Sequence, residues 1–269
     1  VADYWRADKA HMLEVNVEGT RRVLQAAREN GVKRVIFTSS AAAVGFVQDR
    51  PANETDRFNL PPDRFPYGYS KALAEAVALE AVQAGQEVVI LNPVVILGPG
   101  DLNILSGDFV LKIKRLQWTI PVTPGGVAVI DVRDVARMHL AAATNGRVGE
   151  RYILGTANTK YSDWMRMIAD VVGAARPRFP TPGWALPPLA ALFDGLRGLG
   201  IKLPVDGNQT RLGGQNIYFD FSKGWNELGK PQIEMRQSVE DTYRWYLEHG
   251  YVKQDVLAKV IDAVGKPLR

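Results

Sequence analysis

Two short apolar runs on either side of a long helical segment constrain the fold of this chain more than any other feature. Residues 33–38 and 87–91 are uninterrupted stretches rich in Val and Ile, as in strands buried inside a parallel sheet. Between them, residues 71–82 are rich in Ala and contain neither Gly nor Pro, which predicts a helix. Another helix is predicted over residues 9–30. Strands and helices that alternate in this way predict βαβ units, and therefore an α/β fold with a doubly wound parallel sheet.

Small polar residues follow both apolar runs. Ser39 and Ser40 come after the first, and Asn92 and Pro93 come after the second. Ligands of parallel sheets lie beyond the carboxyl ends of the strands, so we expect a site here, with Tyr67 opening the intervening helix beside it. A serine hydroxyl at this position could hydrogen-bond a substrate oxygen and share its proton with Tyr67. Serines also end strands for purely structural reasons, and that alternative stays open from the residues alone.

Tyr67 and Lys71 carry the predicted chemistry. They are four positions apart on a predicted helix and share one face, whereas Tyr69 points elsewhere. A free phenol has a pKa of about 10, and a nearby ammonium group lowers it, which would make Tyr67 a competent general acid or base. The alternative is that Lys71 lies on a solvated face of the helix and pairs with Glu75, four residues later.

Asn16 is an unexpected residue inside the first predicted helix, where Gly19 follows it closely. Asn and Gly each destabilise a helix interior by roughly 0.5–1 kcal/mol relative to Ala. Asn16 is therefore predicted to mark a kink, a close helix contact or an amide that anchors a water chain, and the alternative is a tolerated surface residue. The apolar stripe of this helix is predicted to consist of Met12, Val15, Val23, Leu24 and Ala27.

The second half of the chain contains further predicted helices and a proline-rich segment. Asp134 is predicted to cap or complement the helix that begins at Val132, and Ser162 to cap a helix that runs to Val172. Frequent prolines between residues 175 and 203 predict a smaller, irregular lobe with an apolar helix near 188–197, and a final helix is predicted over 255–263. We therefore expect residues 1–160 to carry the site and residues 161–269 to form most of a C-terminal lobe, with interleaved segments.

Composition excludes several classes of function. The 269 residues include no Cys and three widely spaced His, so neither a thiolate site nor a histidine metal cluster is expected, and the metal prediction is none. The net charge of +4 is spread along the chain without a basic run, so no nucleic-acid partner is expected. No apolar run is long enough to span a membrane, and no membrane partner is expected. The serines lack the G-x-S-x-G context of a serine hydrolase.

Six stretches together resemble the extended short-chain dehydrogenase/reductase family, which includes NAD-dependent epimerases and dehydratases and relatives of dihydroflavonol reductase. They occur in the family's order along nearly the whole chain: residues 16–20 (NVEGT), 35–41 (VIFTSSA), 67–71 (YGYSK), 92–100 (NPVVILGPG), 132–136 (VRDVA) and 219–229 (FDFSKGWNELG). The resemblance implies a Rossmann-like sheet and an NAD(P)-dependent oxidoreductase, most similar to the dihydroflavonol-reductase branch. It leaves open a nucleotide-sugar epimerase or dehydratase and a truncated, non-catalytic binding or sensor module.

The resemblance also implies roles for individual residues. Tyr67 would be the proton donor or acceptor, Lys71 would hold the nicotinamide ribose and lower the pKa of Tyr67, and Ser40 would bind the reacting oxygen. Asn16 would support a proton relay. The cofactor, NAD or NADP, would contact Tyr67, Lys71, Thr38, Ser39, Asn92, Pro93 and Val95. A small carbonyl or alcohol, or a nucleotide sugar, would be the substrate of a cytoplasmic enzyme, and the helices at 9–30 and 67–84 are the family's usual homodimer surface.

The sequence departs from the family at the pyrophosphate cradle. No G-x-G-x-x-G or G-x-x-G-x-x-G opens a β–α unit, and about 65–75 residues of the usual pattern, which carry that turn and three strands, do not occur here. The expectation is a piece of a longer protein, or else an open, N-terminally incomplete sheet that is compensated elsewhere. The segment that distinguishes NAD from NADP is among the missing residues, so that choice cannot be predicted. Weak dinucleotide binding by the 269-residue chain is expected.

Overall fold

The computed structural model describes residues 8–201 and 207–252. Three small sheets contain the strands. These strands are β1 (Arg34–Thr38), β2 (Glu87–Pro93), β3 (Val95–Leu97), β4 (Pro121–Val122), β5 (Gly126–Asp131), β6 (Arg151–Leu154), β7 (Ala157–Lys160) and β8 (Phe179–Pro180). The central sheet has the order β1–β2–β6 and is parallel throughout. In the second sheet β3 and β5 are parallel and β7 is antiparallel to β5, and β4 pairs with β8 in the third.

Helices occupy most of the chain between these strands. They are α1 (Lys9–Leu13), α2 (Gly19–Glu29), α3 (Pro66–Gln83), α4 (Asp108–Leu116), α5 (Val132–Asn145), α6 (Tyr161–Val171), α7 (Leu186–Gly198), α8 (Gly207–Leu212), α9 (Ser222–Leu228) and α10 (Met235–Glu248). The predicted α/β class and its parallel sheet are therefore confirmed. The final helix predicted over 255–263 lies outside the described residues.

Strand β2 shows why the fold is doubly wound. Its side chains alternate between two apolar clusters, because successive residues of a strand point to opposite faces. Val88 and Ile90 pack with Leu24 of α2 and with Val77 and Ala78 of α3. Val89 and Leu91 face the other cluster, which includes Met138 and Ala142 of α5 and Leu228 of α9. Residues 88–93 are buried, whereas residues 34–37 of β1, the outer strand of this sheet within the described residues, are only half-buried.

The helix predicted over residues 9–30 is interrupted. Residues Glu14–Glu18 form a π-helical turn between α1 and α2. A π turn inserts an extra residue into the helix and rotates the faces beyond it. The predicted apolar stripe is wrong for Val15 and Val23, which are exposed, although Met12 and Leu24 are buried as expected.

The division into residues 1–160 and 161–269 remains a prediction. Helices α6 and α10 pack against the second sheet and α9 packs on β6, so segments of the second half cover both sheets. Helices α7 and α8 pack on each other, and α7 is the apolar helix predicted near residues 188–197. Among the described residues, no helix is both long enough and apolar enough to cross a membrane.

Candidate active site

Helix α3 begins at the site because a glycine lets it approach the end of β1. Pro66 occupies the first turn of the helix, where its missing N–H is tolerated. A Cβ on Gly68 would lie 2.6 Å from the carbonyl oxygen of Ala42 and 2.8 Å from the Phe58 ring. Only glycine therefore allows the first turn of α3 to pack directly on the 3₁₀ turn Ala41–Ala43 that follows β1.

Ser40 and Tyr67 meet at this contact. Ser40 is the N-cap of the 3₁₀ turn and its Oγ accepts a hydrogen bond of 3.2 Å from the Ala42 N–H. The Ser40 hydroxyl and the Tyr67 phenol are hydrogen-bonded to each other. Burial raises the pKa of Tyr67, and the hydrogen bond with Ser40 opposes that rise. The expectation that Lys71 lowers the pKa of this phenol is therefore wrong for this arrangement.

The ammonium group of Lys71 turns toward the end of β1. Its Nζ donates a 2.8 Å hydrogen bond to the carbonyl oxygen of Thr38 and lies 5.0 Å from the centroid of the Phe37 ring. Burial lowers the pKa of Lys71, and the negative charge of Glu75 works in the opposite direction. Lys71 is only half-buried, but its charge faces the protein, so the alternative of a lysine on a solvated face is not supported.

Glu75 is the residue of the site that the sequence analysis missed. It is 4% exposed and accepts hydrogen bonds from the Ser39 hydroxyl, from Asn92 Nδ2 at 2.6 Å and from Arg151 Nη1 at 3.0 Å. The signal was in the spacing, because Tyr67, Lys71 and Glu75 occur at intervals of four on one helix and share a face. The alternative interpretation had Glu75 pairing with Lys71. In the structure the carboxylate instead binds the donors of Ser39, Asn92 and Arg151.

Asn16 reaches the site through a second residue that the sequence analysis did not single out. The π turn buries Asn16, and its Nδ2 donates a 3.0 Å hydrogen bond to Ser70 Oγ. The Ser70 hydroxyl in turn donates to the carbonyl oxygen of Tyr67 at 2.7 Å. The unfavourable mid-helix asparagine is therefore part of a close contact between helices, one of the predicted outcomes.

The other residues predicted to bind the cofactor have different surroundings. The Thr38 carbonyl accepts from Lys71, whereas Thr38 Oγ1 lies 2.8 Å from Nε2 of His139 on α5. Ser39 and Asn92 are buried and directed into the Glu75 cluster, and Asn92 Nδ2 also donates to the Ser40 carbonyl at 2.9 Å. Pro93 is the buried last residue of β2. Val95 begins β3 and packs against the core of the second sheet, away from the Glu75 cluster.

One buried acceptor in this region has no partner. Asn92 Oδ1 makes no hydrogen bond with any described residue, although the side chain is fully buried. Such atoms are uncommon in folded proteins, because an unpaired buried acceptor is destabilising. The nicotinamide ring of NAD(P) carries a carboxamide that could supply a donor. Together with the Lys71 ammonium, this acceptor fits the nicotinamide-ribose end of the predicted cofactor.

Of the two predicted caps, Asp134 complements the N-terminus of α5 from its first turn, as one of the predicted alternatives had it, whereas the prediction for Ser162 is wrong. The N-cap of α5 is Asp131, whose side chain accepts from the Arg133 N–H. Asp134 lies in the first turn but its carboxylate accepts the backbone N–H groups of Gln232 and Ile233, which attaches the segment before α10. Helix α6 begins at Tyr161, and its N-cap makes no side-chain hydrogen bond, so Ser162 is not a cap.

Metal ligands do not assemble here. Within residues 8–201 and 207–252, no three acidic or histidine side chains come close enough to hold a metal ion.

The sequence is similar to those of known proteins. Residues 3–155 match the model of the NAD dependent epimerase/dehydratase family. A putative dihydroflavonol 4-reductase of Synechocystis is 35% identical over 260 residues, which cover 93% of this chain and 74% of the relative. Sterol demethylase protein B of Methylococcus capsulatus is 32% identical over 250 residues, covering 91% of this chain and 76% of that protein.

Solved structures extend the comparison to the fold. The crystal structure of gox2253 superposes with a TM-score of 0.79 at 31% identity and covers 94% of this chain and 78% of that one. A nucleoside-diphosphate-sugar epimerase from Pseudomonas aeruginosa gives a TM-score of 0.74 at 26% identity, covering 90% and 76%.

Proposed function

Because the chain belongs to the NAD dependent epimerase/dehydratase family, we propose that it acts in hydride transfer between NAD(P) and a carbonyl/alcohol pair, with net reduction of the carbonyl. The observation that carries the proposal is the hydrogen bond between the Tyr67 phenol and the Ser40 hydroxyl at the carboxyl end of β1. Lys71 lies one helical turn beyond Tyr67 with its ammonium directed to the same strand end.

In this proposal Tyr67 is the proton donor of the reduction. Its phenol stays protonated at neutral pH, because burial raises its pKa, and a protonated phenol can deliver a proton to the oxygen of a bound carbonyl. The Ser40 hydroxyl donates a hydrogen bond to that oxygen and holds it beside the phenol. When bound, the nicotinamide supplies the hydride, so that one hydride and one proton convert the carbonyl to the alcohol.

Asn16 stabilises the turn of α3 that carries Tyr67. Its hydrogen bond to Ser70, which binds the Tyr67 carbonyl, fixes the first turn of α3 against the π turn. The cofactor contacts proposed for this chain are Lys71 with the ribose and Asn92 Oδ1 with the carboxamide, because these are a cationic donor and an unpaired acceptor at the same strand ends.

The similarity to the putative dihydroflavonol 4-reductase of Synechocystis, at 35% identity over 93% of this chain, favours a net reductase over a nucleotide-sugar epimerase. The similarity to the Pseudomonas aeruginosa epimerase supports the second candidate, a nucleotide-sugar epimerase or dehydratase.

Consumption of the reduced cofactor distinguishes the candidates. The chain is assayed with NADPH and with NADH, each in millimolar excess to offset weak binding, against a panel of aldehydes and ketones and a parallel panel of nucleotide sugars. A reductase oxidises the cofactor in proportion to the alcohol formed. Conversion of a nucleotide sugar without net oxidation would replace the proposal with the epimerase. Binding of NAD(P)H or of a substrate without any conversion would replace it with a non-catalytic binding module.

A further inference from the structure

The Glu75 carboxylate joins three parts of the fold at one buried point. It accepts from Ser39 at the end of β1, from Asn92 near the end of β2 and from Arg151 at the start of β6. Glu75 lies on α3 four residues after Lys71, which is about one helical turn. With 4% of its surface exposed, this carboxylate has little access to water, so the three donors supply its solvation.

The bonds of Glu75 bear directly on the position of Ser40. Ser39 is the neighbour of Ser40 and its hydroxyl is held by Glu75. Asn92 holds the same turn from the other side, because its Nδ2 donates both to Glu75 and to the Ser40 carbonyl. Ser40 is therefore fixed at its own carbonyl and at the preceding side chain, which leaves its hydroxyl directed to Tyr67.

Resting on the proposed function, we propose that Glu75 is a positioning residue of the site: its buried carboxylate fixes the Ser39–Ser40 turn against α3 and places a negative charge about one helical turn from Lys71. Glu75 does not touch the reacting atoms. It acts through Ser39 and Asn92 on Ser40, and through its charge on Lys71.

The charges around Lys71 support the electrostatic part. On α3 the neighbouring titratable groups are Tyr67 and Glu75, and on the facing elements they are Arg151 of β6 and His139 of α5, which binds Thr38. Burial lowers the pKa of Lys71 and Glu75 opposes that change. Glu75 is the anion of the set, and the others are cationic or neutral near pH 7. Removing its charge should therefore favour the neutral amine, whereas removing Arg151 should favour the ammonium.

The test is the pH dependence of acylation at Lys71, measured residue by residue with an amine-reactive ester and mass spectrometry, because only the neutral amine reacts. The protein needs neither cofactor nor substrate for this measurement. In the variant Glu75→Gln, whose amide oxygen can still accept from Arg151, the reaction midpoint of Lys71 is expected to fall by about one pH unit, a roughly tenfold increase in labelling at a fixed pH. In Arg151→Met, with Glu75 retained, the midpoint is expected to rise.

The Lys71 midpoint is expected to fall when Glu75 is changed and to rise when Arg151 is changed. Simple loss of structure would move both midpoints in the same direction, so the two explanations are distinguished. The matched control is Arg147→Gln/Glu227→Gln, which removes an ion pair of 2.6 Å on the other side of β6 and should leave the Lys71 midpoint unchanged. Midpoints that move together, or do not move, would overturn the inference.

The outcome is independent of the reaction assay. If the midpoints shift as expected while no carbonyl reduction is found, Glu75 is the positioning residue of a site with another function. If reduction is found and the midpoints do not shift, the proposed function stands and the role of Glu75 is lost.

Discussion

Two strand ends of this protein hold a buried carboxylate near an arginine, and they differ in what surrounds it. At the end of β5, Asp131 is 1% exposed and binds Arg133 through both carboxylate oxygens, at 2.8 and 2.9 Å. We call this pair the β5 junction. At the ends of β1 and β2, Glu75 has Arg151 as its cation, but the same region also contains Tyr67 and Lys71.

The fold stabilises the charged form of Asp131 at the β5 junction, but it disfavours the charged forms of Tyr67 and Lys71 at the candidate site. Burial alone would raise the pKa of Asp131, but hydrogen bonds from the Arg133 side chain and backbone N–H outweigh it and the pKa is lowered, so the charged form is stabilised. At the other end, burial disfavours the charged forms of both Tyr67 and Lys71, and Asn92 Oδ1 has no partner among the described residues. The junction stabilises the fold, whereas the candidate site holds groups that the fold alone would not favour, as functional sites do.

The largest expected effect on stability is at the β5 junction. Asp131→Ala removes the N-cap of α5 and the bidentate partner of Arg133, and should lower the free energy of unfolding by about 2–4 kcal/mol. Asp131→Asn keeps a capping oxygen but not the charge, so it should be less damaging by about 1 kcal/mol. Urea unfolding of the three proteins at pH 7 measures both differences.

The same variants have a defined pH dependence. The folded pKa of Asp131 lies below its unfolded value, so its contribution is present above the unfolded pKa, about 4, and is lost as the pH falls through the folded pKa. The stability difference between the wild-type protein and Asp131→Asn should therefore persist from pH 7 to about pH 4 and shrink below it. A difference that is constant down to pH 2 would contradict the assignment. The exposed control Asp163→Asn should change stability by less than about 1 kcal/mol.

An intermediate effect is expected for two glycines within helices. Gly68→Ala places a methyl group 2.6 Å from the Ala42 carbonyl oxygen and should destabilise the protein by about 1–3 kcal/mol while separating Tyr67 from Ser40. Gly195 of α7 has no atom within 4 Å of an added Cβ, so Gly195→Ala should stabilise by about 0.5–1 kcal/mol. Thermal unfolding of both variants compares them directly. A Gly68→Ala protein as stable as Gly195→Ala would show that the contact with α3 is not close.

A modest stabilising effect is expected at Lys71. Lys71→Met removes an ammonium that burial disfavours and should raise the free energy of unfolding by about 0.5–2 kcal/mol at pH 7, although turnover is lost. Because the folded pKa of Lys71 is lowered, the gain should diminish as the pH rises toward the unfolded pKa, near 10.4. Urea unfolding at pH 7 and pH 10 checks this. Destabilisation at both pH values would mean that the Thr38 hydrogen bond outweighs burial.

Local pattern predicted much of this fold. The apolar runs at 33–38 and 87–91 became adjacent parallel strands, because unbroken β-branched segments alternating with helices have few other arrangements. Ser40 follows the carboxyl end of β1, and Tyr67 opens the helix beside that end. The two residues were therefore predicted to meet, and they are hydrogen-bonded.

The remaining features depend on contacts between distant segments. Helix spacing alone predicted Glu75 to be a surface partner of Lys71. It could not show that Arg151, 76 residues later in the sequence, binds the same carboxylate. Asp134, predicted to cap or complement α5, lies in its first turn, but the sequence did not show that its carboxylate also binds residues 232 and 233, about a hundred positions away. The lowered pKa predicted for Tyr67 assumed a solvated phenol near a cation and left out burial, which acts in the opposite direction.

The central claim is that the Tyr67 phenol delivers the proton, and the most direct measurement compares Tyr67→Phe with Tyr69→Phe. Tyr69 lies on the same helix two residues away and contacts the Phe58 ring at 6.0 Å, so its variant controls for loss of a tyrosine in this turn. Under identical conditions, Tyr67→Phe should reduce the rate of carbonyl-dependent NAD(P)H oxidation by roughly 100- to 10,000-fold and Tyr69→Phe by little. Undiminished turnover in Tyr67→Phe would contradict the account.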